Sequence, residues 1–317
     1  MATVIDPNEL DLAGLYKHLS APSDRGPSLV RRLLELARDE DLGGVGDITA
    51  EASLTPDSAL SCILSAREPV RVAGLRGVPE LIEVFGGGLV WQPLAEDGDQ
   101  IEAGAALGRI SGPARSVVSI ERTLLNLVGR LSGVAMRTAS FVEEARRGSG
   151  SVRVLDTRKT TPGMRVLEKY AVRCGGGHSH RLGLHDAVLV KDNHIAHVPD
   201  DQLEAELERL ASRARNVGDL QFVEFEVDRM AQLRAAVSLP EGMIDIVLLD
   251  NFSNNELCEA VTLRDAESPG LLLEASGGVR LDTIRSIAAT GVDRISVGSL
   301  THGATNPDIG LDADAVA

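Results

Sequence analysis

The 317-residue chain is acidic, with 47 Asp and Glu against 32 Lys and Arg and a net charge of −15. That balance excludes a broad duplex-binding surface, and an aromatic content of 3% leaves too few rings for a base-stacking platform. Cys62, Cys174 and Cys258 form neither a disulfide framework nor a CxxC metal clamp, no apolar run is long enough to span a bilayer, and the first residues lack a signal pattern, so the expectation is a cytoplasmic protein in a reducing compartment.

Residues 1–28, punctuated by Pro7, Pro22, Gly26 and Pro27, read as a polar arm with one short helix around Leu10 to Leu19. Apolar residues at 29, 30, 33, 34 and 37 give Leu29 to Arg38 a helical period, which the loop from Glu40 to Thr49 stops. Strand candidates follow at Ala59 to Ala66, Val70 to Ala73, Leu89 to Pro93 and Ala106 to Ser111, separated by glycine-rich turns. This half predicts a small α/β layer domain. A long helix spans about Ser116 to Arg146, with Ile120, Leu124, Leu127, Val128, Leu131, Val134, Ala135 and Phe141 recurring at three and four. Gly129 and Gly133, one turn apart on it, suit close packing against another element.

Strands and helices then alternate. Val152 to Thr157, Ala187 to Lys191, Phe222 to Val227, Ile244 to Asp250, Gly270 to Ala275 and Arg294 to Gly298 read as strands. Helices are expected at Asp201 to Arg215, Arg229 to Val237, Asn255 to Leu263 and Leu281 to Thr290. Such alternation implies a parallel sheet. Six strands, with a seventh unplaced, suggest an incomplete β/α barrel.

Charge is unevenly spread. Between residues 153 and 194 eight cations face four anions, and four of the seven histidines lie there: His178, His180, His185 and His194. A local cation excess in an acidic chain points to a small polyanionic ligand. Polar chemistry also collects at the strand ends, where β/α barrels build their active sites. The first strand runs out into Arg158-Lys159, the second into Lys191-Asp192-Asn193-His194, and the third carries Glu224 and Glu226 on one face. The fourth ends in Asp250-Asn251, the fifth in Ser276-Gly277-Gly278 and the last in Gly298-Ser299.

Arg158, Lys159, Arg181 and Lys191, with His180 adjacent, suit a carboxylated or phosphorylated small molecule. Glu226 and Asp250 suit Mg²⁺, which prefers oxygen ligands. Glu226 has a second reading, a structural ion pair with one of the cations. Glu224 reads as a supporting partner. Gly277-Gly278, before a helix expected from Leu281, and Gly298-Ser299 can each hold a phosphate on backbone amides. His194 stands open between fixing the Lys191 loop and a direct role. His178, His185, His197 and His302 read as surface or hydrogen-bonded residues, and Arg122 on the long helix as a surface cation.

In order, the chain carries Glu40-Asp41-Leu42-Gly43 with Gly46-Asp47-Ile48-Thr49, Glu121-Arg122-Thr123-Leu124-Leu125-Asn126, Asp156-Thr157-Arg158-Lys159-Thr160-Thr161-Pro162-Gly163, and Leu167-Glu168-Lys169-Tyr170. Gly175-Gly176-Gly177 to His180-Arg181, Lys191-Asp192-Asn193-His194, Glu224-Phe225-Glu226, Leu248-Leu249-Asp250-Asn251, Glu274-Ala275-Ser276-Gly277-Gly278 and Val297-Gly298-Ser299 complete the series. This series resembles the quinolinate phosphoribosyltransferases over nearly the whole chain, from about Leu29 to His302. The resemblance implies an N-terminal α/β sandwich (29–125), an irregular, incomplete β/α barrel (126–300) and a C-terminal tail (301–317). It implies a homodimer in which Arg122 reaches the neighbouring subunit's site. It assigns Arg122, Thr157, Arg158, His180, Arg181 and Lys191 to the carboxylates of quinolinate. Lys159, Glu226, Asp250, Ser276, Gly277, Gly278, Gly298 and Ser299 go to phosphoribosyl pyrophosphate, with Glu226 and Asp250 toward Mg²⁺, directly or through water. The expected products are nicotinate mononucleotide, CO₂ and pyrophosphate, as in NAD biosynthesis. Two departures stand out: Ser179 where the family usually has Asn, and His185 where a small residue is common. Two competing readings keep the scaffold: a related transferase acting on another carboxylated ring, including the molybdenum-locus homologues, and a non-catalytic sugar-phosphate sensor.

Overall fold

The computed structural model describes residues 5–23, 26–199 and 202–314. The chain divides into two compact units that are discontinuous in sequence. One holds Leu10–Ala139, Thr160–Gly176 and the chain from Leu300 on; the other holds the residues up to Glu9, Ser140–Lys159 and Gly177–Ser299.

The first unit begins with α1 (Leu12–Leu19), α2 (Leu29–Leu42) and α3 (Ile48–Ser53). Next come β1 (Ala59–Ala66), β2 (Val70–Arg71), α4 (Val78–Phe85), β3 (Val90–Pro93), β4 (Gln100–Ile101), β5 (Ala106–Pro113) and the 35-residue α5 (Ala114–Gly148). Side-chain caps mark the starts: Ser28 accepts the Arg31 N–H and Asp47 the Ala50 N–H. On β1, Cys62, Leu64 and Ala66 are buried at every second position, the pattern of a strand with one face on a core. The helix expected around Leu10 to Leu19 is present, with Leu15 fully buried and Tyr16 edge-on to Tyr170 at 5.3 Å.

In the second unit six parallel strands form one sheet. They are β6 (Arg153–Leu155), β7 (Val188–Val190), β8 (Val223–Val227), β9 (Ile246–Asp250), β10 (Leu272–Ser276) and β11 (Arg294–Ser296). Their order is β6-β11-β10-β9-β8-β7. That is the cyclic order of a barrel opened between its first two strands. Beside β6, at the opening, His178 forms a single parallel bridge to Leu155, in the place of the strand that sequence could not supply. Between the strands run α6 (Arg165–Cys174, which packs in the first unit), α7 (Asp192–Ile195), α8 (Leu203–Arg215), α9 (Met230–Val237), α10 (Asn254–Glu267) and α11 (Ile284–Ala288). The start expected for α8, Asp201, lies outside the described residues.

Some elements differ from the sequence expectation. The sequence gives no helix expectation for α4 or α6, and the final strand β12 (Ile309–Ala313), which follows α12 (Ser299–His302), falls in the expected tail. α6 buries Leu167, Tyr170, Ala171 and Cys174, but also Glu168 and Lys169, and these charges hide its apolar face in the sequence. β12 pairs antiparallel with β1, giving the sheet order β12-β1-β5-β3. Its identity as a strand comes from a partner about 250 residues away, as in the pairing of Ala313 with Cys62. The close packing expected at Gly133 is present: a Cβ there would lie 2.2 Å from the Thr305 carbonyl oxygen.

Candidate active site

Strand register determines which side chains enter the barrel, because residues paired across neighbouring strands share a face. Glu224 pairs with Ile246, which pairs with Leu272; Glu226 pairs with Leu248, Leu248 with Glu274, and Glu274 with Arg294; Asp250 pairs with Ser276. These residues form successive inward layers. The upper ones line a cavity of about 470 Å³ with Thr157, Arg158, Lys159, His180, Arg181, Leu189, Lys191 and Ser296. The size suits a small-molecule site. On β8 the outward Val223, Phe225 and Val227 are also fully buried, so the glutamates between them can face only the barrel interior.

One side of the cavity is cationic. Arg181 is 6% exposed, and burial together with the nearby Arg158 guanidinium lowers its pKa. Two like charges held this close attract a multiply charged anion. Lys191 Nζ donates to Glu226 Oε2 at 2.8 Å, so the ion pair considered for Glu226 exists and lies within the cavity. The other side carries Asp250, Ser276 and glycine turns. Asn251 takes φ 58°, the left-handed region, and its backbone N–H donates to the Ser276 carbonyl at 2.9 Å. Gly277, at φ 93°, packs on it so tightly that a Cβ would lie 2.2 Å from Asn251 Oδ1. Lys159 crosses Gly298, where a Cβ would come within 2.8 Å of its Cδ.

Next to the cavity lies a buried charged cluster. His180 Nε2 approaches Glu224 Oε2 at 3.0 Å and Glu274 Oε1 at 3.3 Å. Arg294 Nε donates to Glu274 Oε2 at 2.7 Å. Both glutamates have no solvent exposure. The backbone N–H of Arg181 donates to His180 Nδ1 at 2.8 Å, and the N–H of His180 to Asp156 Oδ1 at 2.9 Å. Burial opposes a charged His180 ring, but the two carboxylates outweigh it and push its pKa up to about 10. Burial also raises Glu224. Glu274, despite burial, is held at about 2 by His180 and Arg294. The cluster thus retains one proton beyond that of a neutral ring. The Nδ1 lone pair is taken by the Arg181 amide, which leaves that proton on the Nε2–Glu224 side and the cluster neutral.

The structure therefore gathers Thr157, Arg158, Lys159, His180, Arg181, Lys191, Glu226, Asp250 and Ser276 at one cavity, with Gly277 and Gly298 packed behind its wall. Gly278, Ser299 and Arg122 do not line it; Arg122 is exposed on α5. One expectation changes: Gly277-Gly278 do not lead into a helix. Helix α11 begins only at Ile284, because Arg280 and Thr283 close a turn first, the Arg280 N–H donating to Thr283 Oγ1 at 3.0 Å. His194 accepts the Lys191 N–H on Nδ1 at 2.8 Å, the structural alternative for that residue. Sequence reasoning gave Glu274, Arg294 and Asp156 no role. Their signal was a charge at an inward strand position, two residues before Ser276 and Ser296, or a charge just after β6.

Two family models match the chain, and the cavity residues all lie in the region that the first covers. Residues 134–312 match the quinolinate phosphoribosyl transferase C-terminal domain, and residues 47–132 its N-terminal domain. The chain belongs to the quinolinate phosphoribosyltransferase family. It is 40% identical to the nicotinate-nucleotide pyrophosphorylase [carboxylating] of Mycobacterium leprae over 293 residues, covering 91% of this chain and 97% of that protein. A probable nicotinate-nucleotide pyrophosphorylase [carboxylating] of Bacillus subtilis is 34% identical, covering 89% and 93%. The nicotinate-nucleotide pyrophosphorylase structure from Francisella tularensis superposes with a TM-score of 0.81 at 32% identity, covering 98% of this chain and 99% of that one. Among the described residues no helix is long and apolar enough to cross a membrane.

Proposed function

We propose that this cavity joins quinolinate to phosphoribosyl pyrophosphate and decarboxylates the product, giving nicotinate mononucleotide, CO₂ and pyrophosphate. The observation that supports it most is the meeting of the buried Arg181 and the exposed Arg158 with Lys159, Lys191, Glu226 and Asp250 in one cavity. A dianionic pyridine fits the first set. Thr157 supports the same end, its Oγ1 accepting the Lys159 N–H at 3.0 Å. The sugar pyrophosphate fits the second, over the backbone at Ser276, Gly277, Gly278, Gly298 and Ser299.

Glu226 and Asp250 offer hard oxygen ligands on the cavity wall and suit Mg²⁺, directly or through water. The buried trio His180, Glu224 and Glu274 also brings three ligand atoms within 4.8 Å of one another, but the ring proton and Arg294 already neutralise it. When bound, the ion would screen the charge of the departing pyrophosphate. The pyridine nitrogen attacks the anomeric carbon of the ribose as the bond to pyrophosphate breaks. Lys159 stabilises the leaving group, and the carboxylates of Glu226 and Asp250 stabilise positive charge developing on the sugar. The adjacent carboxylate then leaves as CO₂; its bonding electron pair stays on the ring carbon, stabilised by the neighbouring pyridinium charge, and a proton from water completes the new C–H bond. Positioning and electrostatics suffice; no side-chain nucleophile is needed.

In this reading the active form is a homodimer, and Arg122 completes the carboxylate site of the neighbouring subunit. The test is direct. Purified protein with quinolinate, phosphoribosyl pyrophosphate and Mg²⁺ should release nicotinate mononucleotide and CO₂ in equal amounts, EDTA should stop it, and added Mg²⁺ should restore it. Failure to form the nucleotide, or equal use of nicotinate in place of quinolinate, would overturn the reading.

A further inference from the structure

The side chains lining a β/α barrel's interior are ordinarily branched aliphatics. Here inward positions next to the cavity carry Glu224, Glu274 and Arg294, all buried and none of them lining it. Burying carboxylates costs several kcal/mol each unless they are well paired, so an apolar layer would have served the fold better. The glutamates converge on one group, the His180 ring, at 3.0 and 3.3 Å. Phe222 holds the ring edge-on, with centroids 5.3 Å apart, and Arg294 lies over the same phenyl ring at 5.6 Å.

His180 does not simply add one more cation to the cavity wall. Nε2 is directed at the two carboxylates, and Nδ1 is occupied by the Arg181 amide at 2.8 Å. What the ring fixes is the backbone that carries Arg181. Asp156 anchors the same corner through the His180 N–H, and Asp186 takes the N–H groups of Leu182 and Gly183 at 2.6 and 2.9 Å. The Arg181 guanidinium then donates to the Ala187 carbonyl at 3.4 Å and lines the cavity that Arg158 shares.

We propose that Glu224 and Glu274 are positioning residues for the diacid, acting through the His180 ring to hold Arg181 in the place where it meets a carboxylate. This rests on the reading of the cavity as a quinolinate site and adds to it two buried carboxylates that do not themselves line the cavity. Misplacing a charged donor by an ångström is enough to cost orders of magnitude.

The test is steady-state kinetics on the full chain with Glu224→Gln and Glu274→Gln, each with and without His180→Ala. Either glutamine variant should raise the quinolinate KM about ten-fold or more while the KM for phosphoribosyl pyrophosphate stays within about two-fold. In the His180→Ala background the same substitution should add less than about two-fold, since the path through the ring is already cut. Fully additive effects, or both KM values rising together as for a loosened fold, would overturn the proposal. Should the glutamine variants fail to fold, ring ¹⁵N shifts of His180 in the wild-type chain decide. Nδ1 should read as unprotonated both before and after saturation with quinolinate; protonation of Nδ1 on addition of the diacid would make His180 a direct ligand and sink the idea. A wild-type chain that forms no nicotinate mononucleotide removes the quinolinate reading itself, and this proposal with it. An active wild type with additive variants removes the proposal alone.

Discussion

Two buried glutamates, one in each unit, solve the same problem in opposite ways. Glu168 on α6 is fully buried and saturated: Oε1 accepts from Arg130 Nε and Nη2 at 3.1 and 2.7 Å and from Thr161 Oγ1 at 2.8 Å, and Oε2 accepts the Thr161 N–H at 2.9 Å. Arg130 also donates to the carbonyls of Thr301 and Ala304. Glu224 on β8 is equally buried, yet neither oxygen meets a donor of good hydrogen-bond geometry among the described residues; its close polar neighbour is the His180 ring. A carboxylate with four donors staples chain segments and tolerates no loss. A carboxylate leaning on a single ring makes that ring's position depend on it. The difference separates a stability device from a positioning device.

The largest expected effect tests the staple. Arg130→Ala strands Glu168 without its cation and should cost about 3–5 kcal/mol, read as a lower denaturation midpoint at unchanged slope. A loss under ~1 kcal/mol would break the contrast with Glu224. Next, Arg158→Ala or Lys191→Ala removes a cation from the cavity wall without emptying a core. Each should raise the quinolinate KM on the order of 10²-fold with little change in melting temperature, and wild-type kinetics would take that residue out of the site. Gly277→Ala comes third. Its φ of 93° and its contact with Asn251 should cost about 1–3 kcal/mol and weaken binding of phosphoribosyl pyrophosphate more than of quinolinate. An alanine variant with unaltered stability would mean that the turn has another conformation open to it.

The smallest effect is one of pH. His180 faces Glu224 from β8, Glu274 from β10 with its partner Arg294 from β11, and Asp156 after β6. Its folded pKa, about 10, lies above the ordinary 6.5. The folded state therefore binds the extra proton more tightly than the unfolded chain does. The stabilisation is complete below pH 6.5 and declines as pH rises toward about 10. Melting temperature should fall across that window and fall less steeply in Glu224→Gln; equal slopes would detach Glu224 from the ring.

Much of the barrel was legible because its strands are apolar runs with turn residues on either side. Phe222 to Val227 and Ile244 to Asp250 were expected within two residues of where β8 and β9 lie. The cavity was legible for a related reason: Arg158, Lys191, Asp250 and Ser276 sit at or just beyond strand ends, and parallel strands bring all such ends to one mouth. Helix α6 was not legible, because Glu168 and Lys169 look solvated until Arg130 and Thr161 are seen to surround the carboxylate. The joint between Gly277 and Asn251 was hidden likewise, being a contact between two turns 26 positions apart.

Local chemistry in the chain determined which residues are strands, where the cations concentrate and which end of each strand bears function, since these follow from periodicity, turn residues and charge along a short stretch. Only the tertiary structure decided that Glu226 pairs with Lys191, that β12 completes a sheet with β1, and that the His180 ring is turned onto Glu224 and Glu274. Those outcomes depend on strand register and on the loss of water around buried charge, and neither exists until distant segments have closed around one another.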